Sequence, residues 1–157
     1  MKKLEFKIDI AAPAKKVWET MLALDTYKQW VNVSWPGSGY TGTWAKDAEI
    51  KFTGDDQSGT MAKITEYRPY EYLMAVHIAV LNVGGVPDTE SDVAKGWVGT
   101  TESYTFNERN GVTELTVEIG LVTPEWEQMF NDGWPNALVA LKRLAEGQTV
   151  DADAVSQ

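Results

Sequence analysis

The sequence predicts an α+β domain in which a curved antiparallel sheet wraps around one long C-terminal helix, with two short helices between the first two strands. Three observations carry this. Residues 3 to 10 alternate apolar and charged side chains without a break. Alternating stretches separated by turn residues then fill most of positions 48 to 122. Finally, residues 126 to 144 carry an apolar stripe at helical spacing, and no other element is long enough to cover the sheet.

In the first strand Leu4, Phe6, Ile8 and Ile10 point one way, and Lys3, Glu5, Lys7 and Asp9 the other. That is the pattern of a half-buried antiparallel strand. Pro13 suits the first turn of a helix, whose inner stripe is Val17, Trp18, Met21 and Leu22. Asp25 or Thr26 is placed to cap a second short helix, with Tyr27, Trp30 and Val31 inward.

Residues 34 to 47 read as an aromatic, glycine-rich loop. Strands follow at about 48–54, 59–67 and 70–81, separated by DDQSG and RPY. Residues 82 to 99 have no period and are dense in Gly, Asp and Pro, as expected of a functional loop such as a lid. Two more strands, at about 100–109 and 112–122, flank the hairpin signal Asn110-Gly111.

Thr123, Pro124 and Glu125 supply a capping hydroxyl, an N1 proline and an acidic first turn for the last helix. Gly133 and Pro135 interrupt that helix, yet the stripe of Trp126, Met129, Phe130, Trp134, Ala137, Leu138, Leu141 and Leu144 keeps one face. A kink, or a restart capped by Asp132, is the expected resolution, with the first half hinging as a lid. The expected domain spans residues 1–147, and the polar tail 148–157 is expected to fray.

At 157 residues the chain can bury roughly 70% of its unfolded surface. Its net charge of −9 opposes binding to nucleic acid or to an anionic membrane. With one histidine and no cysteine, no metal site and no cofactor is expected. The absence of cysteine and of an apolar leader at MKKLEFKIDI fits a cytoplasmic protein.

Certain stretches in this order resemble a known family: AAPAKKVWETM, TYKQWV, GTMAKITEYRPYEYLMAV, ESYTFNERNGVTELTVEIG and the closing Gly133-Trp134…Leu144 pattern. The chain resembles the START-like, or Bet v 1-like (SRPBCC), helix-grip superfamily. Within it, the likeness is to bacterial homologues of the heat-shock protein 90 ATPase activator. That superfamily includes lipid carriers, hormone receptors, polyketide cyclases and co-chaperone domains. The resemblance implies a cavity between the sheet and the C-terminal helix, holding an apolar or aromatic small molecule.

Strand parity and the aromatic loops nominate residues for such a cavity. From the helices and loops come Trp30, Trp35, Trp44 and Trp97; from the closing helix, Trp126, Met129, Phe130 and Trp134. From the strands come Phe52, Met74, Val76, His77, Glu102, Tyr104, Phe106 and Val117. Residues 70–81 are apolar on both faces, so either Met74 and Val76 or His77 faces inward. The plainer reading puts His77 on the solvated face or pairs it with a neighbouring strand. The plainer reading of Glu102 is a wet carboxylate at a strand end.

No catalytic motif is present, and the acidic run Asp88, Glu90, Asp92 reads as solvated. A small-molecule binding protein, monomeric or homodimeric, is therefore the leading expectation. A cyclase- or aromatase-like enzyme using Glu102 or His77, and a chaperone-interacting module, are the alternatives.

Overall fold

The computed structural model describes residues 2–148. Eight strands form one antiparallel sheet: β1 (Lys2–Ile10), β2 (Gly39–Thr41), β3 (Glu49–Thr53), β4 (Gly59–Arg68), β5 (Tyr72–Asn82), β6 (Val86–Asp88), β7 (Thr101–Arg109) and β8 (Val112–Leu121). The spatial order is β1-β8-β7-β5-β4-β3-β2, and β6 pairs with the end of β5. Helices α1 (Ala14–Leu22) and α2 (Leu24–Val31) lie between β1 and β2. A four-residue helix, α3 (Asp92–Lys95), precedes β7, and α4 (Glu127–Ala145) closes the chain.

The alternation read in residues 3 to 10 becomes β1, which runs beside β8 with Leu4 opposite Ile119 and Phe6 opposite Val117. Asn110 and Gly111 both take positive φ, which sets the twist of a two-residue turn between β7 and β8. Register shifts between Met61 and Ala62 and between Ile64 and Glu66 interrupt the β4–β5 ladder. Irregularities of this kind bend a strand and increase the local twist of a sheet. Inner-face residues such as Ile50, Ile64, Leu73 and Leu115 then share one core with Ala137, Leu138 and Leu141 of α4.

Several local expectations are corrected. α2 starts at Leu24, directly after Ala23, with no side-chain cap, so neither Asp25 nor Thr26 serves as one. Thr123 makes no capping hydrogen bond either, and Pro124–Trp126 form a 3-10 turn leading into α4. The loop expected at 34–47 contains β2, and the segment 82–99 contains β6 and α3. In that segment Asp88 accepts hydrogen bonds from the backbone of Glu90 and Ser91 and from the Ser91 hydroxyl. Ser91 in turn caps α3, so Asp88 orders a turn, while Glu90 and Asp92 are exposed as expected.

α4 is one helix from Glu127 to Ala145, with Pro135 inside it and no restart at Asp132. Pro135 and Asn131 both lie on its exposed side, where water can serve the Asn131 carbonyl that the proline leaves unpaired. At its far end Glu146 accepts from the Ala11 N–H at 2.7 Å and pairs with Lys142. Of the tail expected to fray, Gln148 still donates to the Arg143 carbonyl, and residues 149–157 lie outside the described residues.

Candidate functional site

A cavity of about 300 Å³ lies between the sheet, α2 with the segment after it, and the first half of α4. The helical repeat of α2 presents Tyr27, Trp30 and Val31 to it. Trp35 and Ser38 follow, Phe52 enters from β3 and Thr60 from β4. Met129, Phe130 and Trp134 close the cavity from α4, and Trp97 from the segment before β7.

The walls are rings packed on rings. Trp134 meets Trp30 at 5.8 Å and Trp35 at 5.6 Å between centroids. Trp97 stacks on Phe130 at 5.8 Å and lies 4.7 Å from the His77 ring. Tyr27 packs edge-on against Trp30 at 5.1 Å. A Cβ built on Gly133 would lie only 2.4 Å from Cζ2 of Trp35, so glycine is what lets that indole approach the α4 backbone. Ser34 fixes the approach by donating to the Gly133 carbonyl at 2.5 Å.

One polar cluster is set into this apolar wall. Glu102 and Tyr104 are two apart on β7 and so share a face. Glu102 is opposite Ala75 on β5, which puts His77 at the diagonal position on the same face. Nε2 of His77 and Oε1 of Glu102 are 3.1 Å apart, and the Tyr104 hydroxyl donates to Oε2 at 2.8 Å. Burial works against the charge of Glu102, but the hydrogen bond and attraction of His77, with the Tyr104 hydroxyl, outweigh it and hold the carboxyl below its usual range.

An ionised carboxylate only accepts, so the shared hydrogen bond puts a proton on Nε2 of His77. Burial pushes the Tyr104 hydroxyl well above its ordinary pKa, and the charge of Glu102 adds to this. Burial likewise raises Tyr27, again with help from Glu102. Both phenols therefore remain donors. His77 Nδ1 and the indole N–H groups of Trp97 and Trp134 are buried without a hydrogen-bond partner among the described residues.

Of the residues nominated from sequence, Trp30, Trp35, Phe52, His77, Trp97, Glu102, Tyr104, Met129, Phe130 and Trp134 line the cavity. Six do not. Met74 and Val76 sit on the opposite face of β5, because Leu73, Ala75 and His77 form its buried set. Phe106 shares the face of Tyr104 but packs 5.2 Å from Trp18, under α1. Val117 is fully buried beneath other side chains. Trp44 backs Phe52 at 5.9 Å, and Trp126 backs Trp97 at 5.5 Å.

His77 is thus paired with a neighbouring strand, but on the inner face and not the solvated one. Glu102 lies near the start of β7, where it is half-buried at the cavity wall and hydrogen-bonded to His77 and Tyr104, not a free carboxylate at the rim. Tyr27, Val31, Ser38 and Thr60 line the cavity without having been nominated. For Tyr27 and Val31 the signal was available, since they share the inward stripe of Trp30.

A single antiparallel sheet gripping a C-terminal helix, with a cavity between them, defines the helix-grip class of α+β proteins. The chain belongs to the family described as Activator of Hsp90 ATPase homolog 1-like protein, whose model matches residues 11–146. Among solved structures it is similar to the Aha1 dimer from Colwellia psychrerythraea, with TM-score 0.70, 19% identity, and coverage of 94% of this chain and 98% of that one. It is also similar to CalU16 from Micromonospora echinospora, with TM-score 0.66, 14% identity, and coverage of 92% and 76%. A protein from Arthrobacter aurescens aligns with TM-score 0.68 and 15% identity, covering 94% and 88%. At these identities the likeness is one of fold. No curated protein matches the sequence, and among the described residues no helix is long and apolar enough to cross a membrane.

Proposed function

We propose that this protein binds a small apolar or aromatic molecule in the cavity between the sheet and α4. The observation that carries the reading is an aromatic-walled space of about 300 Å³ with the Glu102–His77–Tyr104 cluster set into its wall, a combination usual in small-molecule sites. Area burial and stacking supply affinity, and the polar groups set orientation. The working unit is taken to be a single cytoplasmic domain over residues 1–147, monomeric or homodimeric; the Colwellia relative is described as a dimer.

A thermal-shift and native mass spectrometry screen with apolar aromatics and fatty acids tests this. A ligand at about 100 times its Kd stabilises by about 2.7 kcal/mol. For a chain of this size that raises Tm by roughly 5–10 °C. A screen in which no compound binds or shifts Tm would sink the proposal.

The Glu102–His77 pair favours a second reading, acid–base chemistry of the cyclase or aromatase kind. It requires turnover that Glu102→Gln and His77→Gln both abolish while binding survives. The family description keeps a chaperone-interacting role as a third reading. Failure to co-purify with a chaperone would count against it.

A further inference from the structure

We infer that the molecule held in this cavity carries a protonated amine on an apolar or aromatic body, with the Glu102 carboxylate as its counter-charge and the surrounding rings as its cage. This rests on the binding function proposed above and names the ligand class for that site.

The first support is charge. Among the described residues Glu102 is the acidic side chain lining the cavity, and no lysine or arginine lines it. Within the cavity the carboxylate is met by the His77 ring and the Tyr104 hydroxyl, with no permanent cation beside it among the described residues. The second support is unused capacity. Each carboxylate oxygen has one hydrogen bond within the protein, whereas an ionised carboxylate offers about four acceptor sites. The Glu102 side chain also keeps 14% of its surface accessible, against 2% for His77. A wholly apolar ligand covering that surface would strip water from a charge and return nothing.

The third support is the wall itself. Cations are attracted to the faces of tryptophan and tyrosine within about 6 Å of the ring centre. Trp30, Trp97, Trp134 and Tyr27 surround the space that Glu102 faces. A ligand carboxylate, in contrast, would meet Glu102 with no lysine or arginine to compensate. The chain's net charge of −9 adds a long-range preference of the same sign.

Isothermal titration with three probes of matched shape tests the inference: naphthylethylammonium, naphthylethanol and naphthylacetate. Wild-type protein is expected to bind the ammonium at least about tenfold more tightly than the alcohol, and the carboxylate most weakly. Glu102→Gln, checked for folding by circular dichroism, is expected to collapse the ammonium-to-alcohol ratio towards one. Should that variant not fold, the wild-type ranking decides by itself. An alcohol or carboxylate that binds as well as the ammonium overturns this inference and leaves the binding function standing. If none of the three binds, and the wider screen is also empty, both are overturned.

Discussion

Trp35 lies against the backbone of α4 at Gly133, so closely that a methyl group there would come within 2.8 Å of Cε2 and 2.4 Å of Cζ2 of the indole. Two opposing effects decide what Gly133→Ala does. Alanine favours a helix interior by about 1 kcal/mol over glycine, while an overpacked contact costs about 1–3 kcal/mol. Destabilisation is expected in the wild-type background, read from the urea midpoint. In a Trp35→Ala background the clash is gone, and the same change should stabilise by about 1 kcal/mol. The reversal of sign is the check, and its absence would mean that Trp35 does not pack there.

Glu102 makes stability depend on pH. Its carboxyl is held below its ordinary value by His77 and Tyr104 despite burial. In the window below the unfolded value of about 4.3 the unfolded chain binds the extra proton, so stability falls as pH falls. The contribution is fully present above that value and is lost as pH drops through the folded pKa. Glu102→Gln should therefore cost about 2 kcal/mol at neutral pH, the size of a hydrogen bond to a charged group. In acid the gap between variant and wild type should narrow. Parallel urea titrations across that range test this, and a constant gap would argue that the carboxyl is not held ionised.

Much of this arrangement can be read from the sequence. The alternation in β1, the Asn110-Gly111 turn and the stripe of α4 are local signals, and each lies where its pattern puts it. The face of β5 is different. Tyr72, Met74, Val76, Ile78 and Val80 are the more apolar set, yet Leu73, Ala75, His77, Ala79 and Leu81 are buried. The outer set is only half-buried, so apolarity alone does not say which face of this strand meets the core. His77 faces inward with the buried set and meets Glu102 across the ladder, a partner that no single-strand pattern contains. β2 and β6, at three residues each, are too short to show a period. Trp97 reaches the cavity because Asp88 and Ser91 order the segment before it, a local device hidden in what reads as loop composition.

Glu146 ties the end of α4 to the junction of β1 and α1. Its Oε2 accepts from the Ala11 N–H at 2.7 Å and from Lys142 at 2.5 Å, while Lys142 also donates to the Asp9 carbonyl at 2.9 Å. Glu146→Ala leaves these donors to water and is expected to cost about 1 kcal/mol. Because the Lys142 hydrogen bond, followed by that of Ala11, holds this carboxyl below its usual range, the cost should also shrink in acid. Amide exchange at Ala11 is the local readout. Unchanged protection there would show that the clamp does not hold.

Pro135 sits inside α4 without ending it. It lacks the N–H that would bond the Asn131 carbonyl, and both residues lie on the exposed side, so the loss falls where water can compensate. Proline in a helix interior costs about 3 kcal/mol relative to alanine. Pro135→Ala should recover part of that, about 1–2 kcal/mol after hydration of the carbonyl is allowed for. It should also slow amide exchange in the turn carrying Met129 and Phe130, which line the cavity. If that turn opens to admit ligand, the substitution should lower the association rate of a cavity ligand more than it changes Kd. Stopped-flow binding beside hydrogen exchange separates the cases. Slower exchange with an unchanged association rate would mean that ligand enters elsewhere, and unchanged exchange would mean that Pro135 does not loosen the turn.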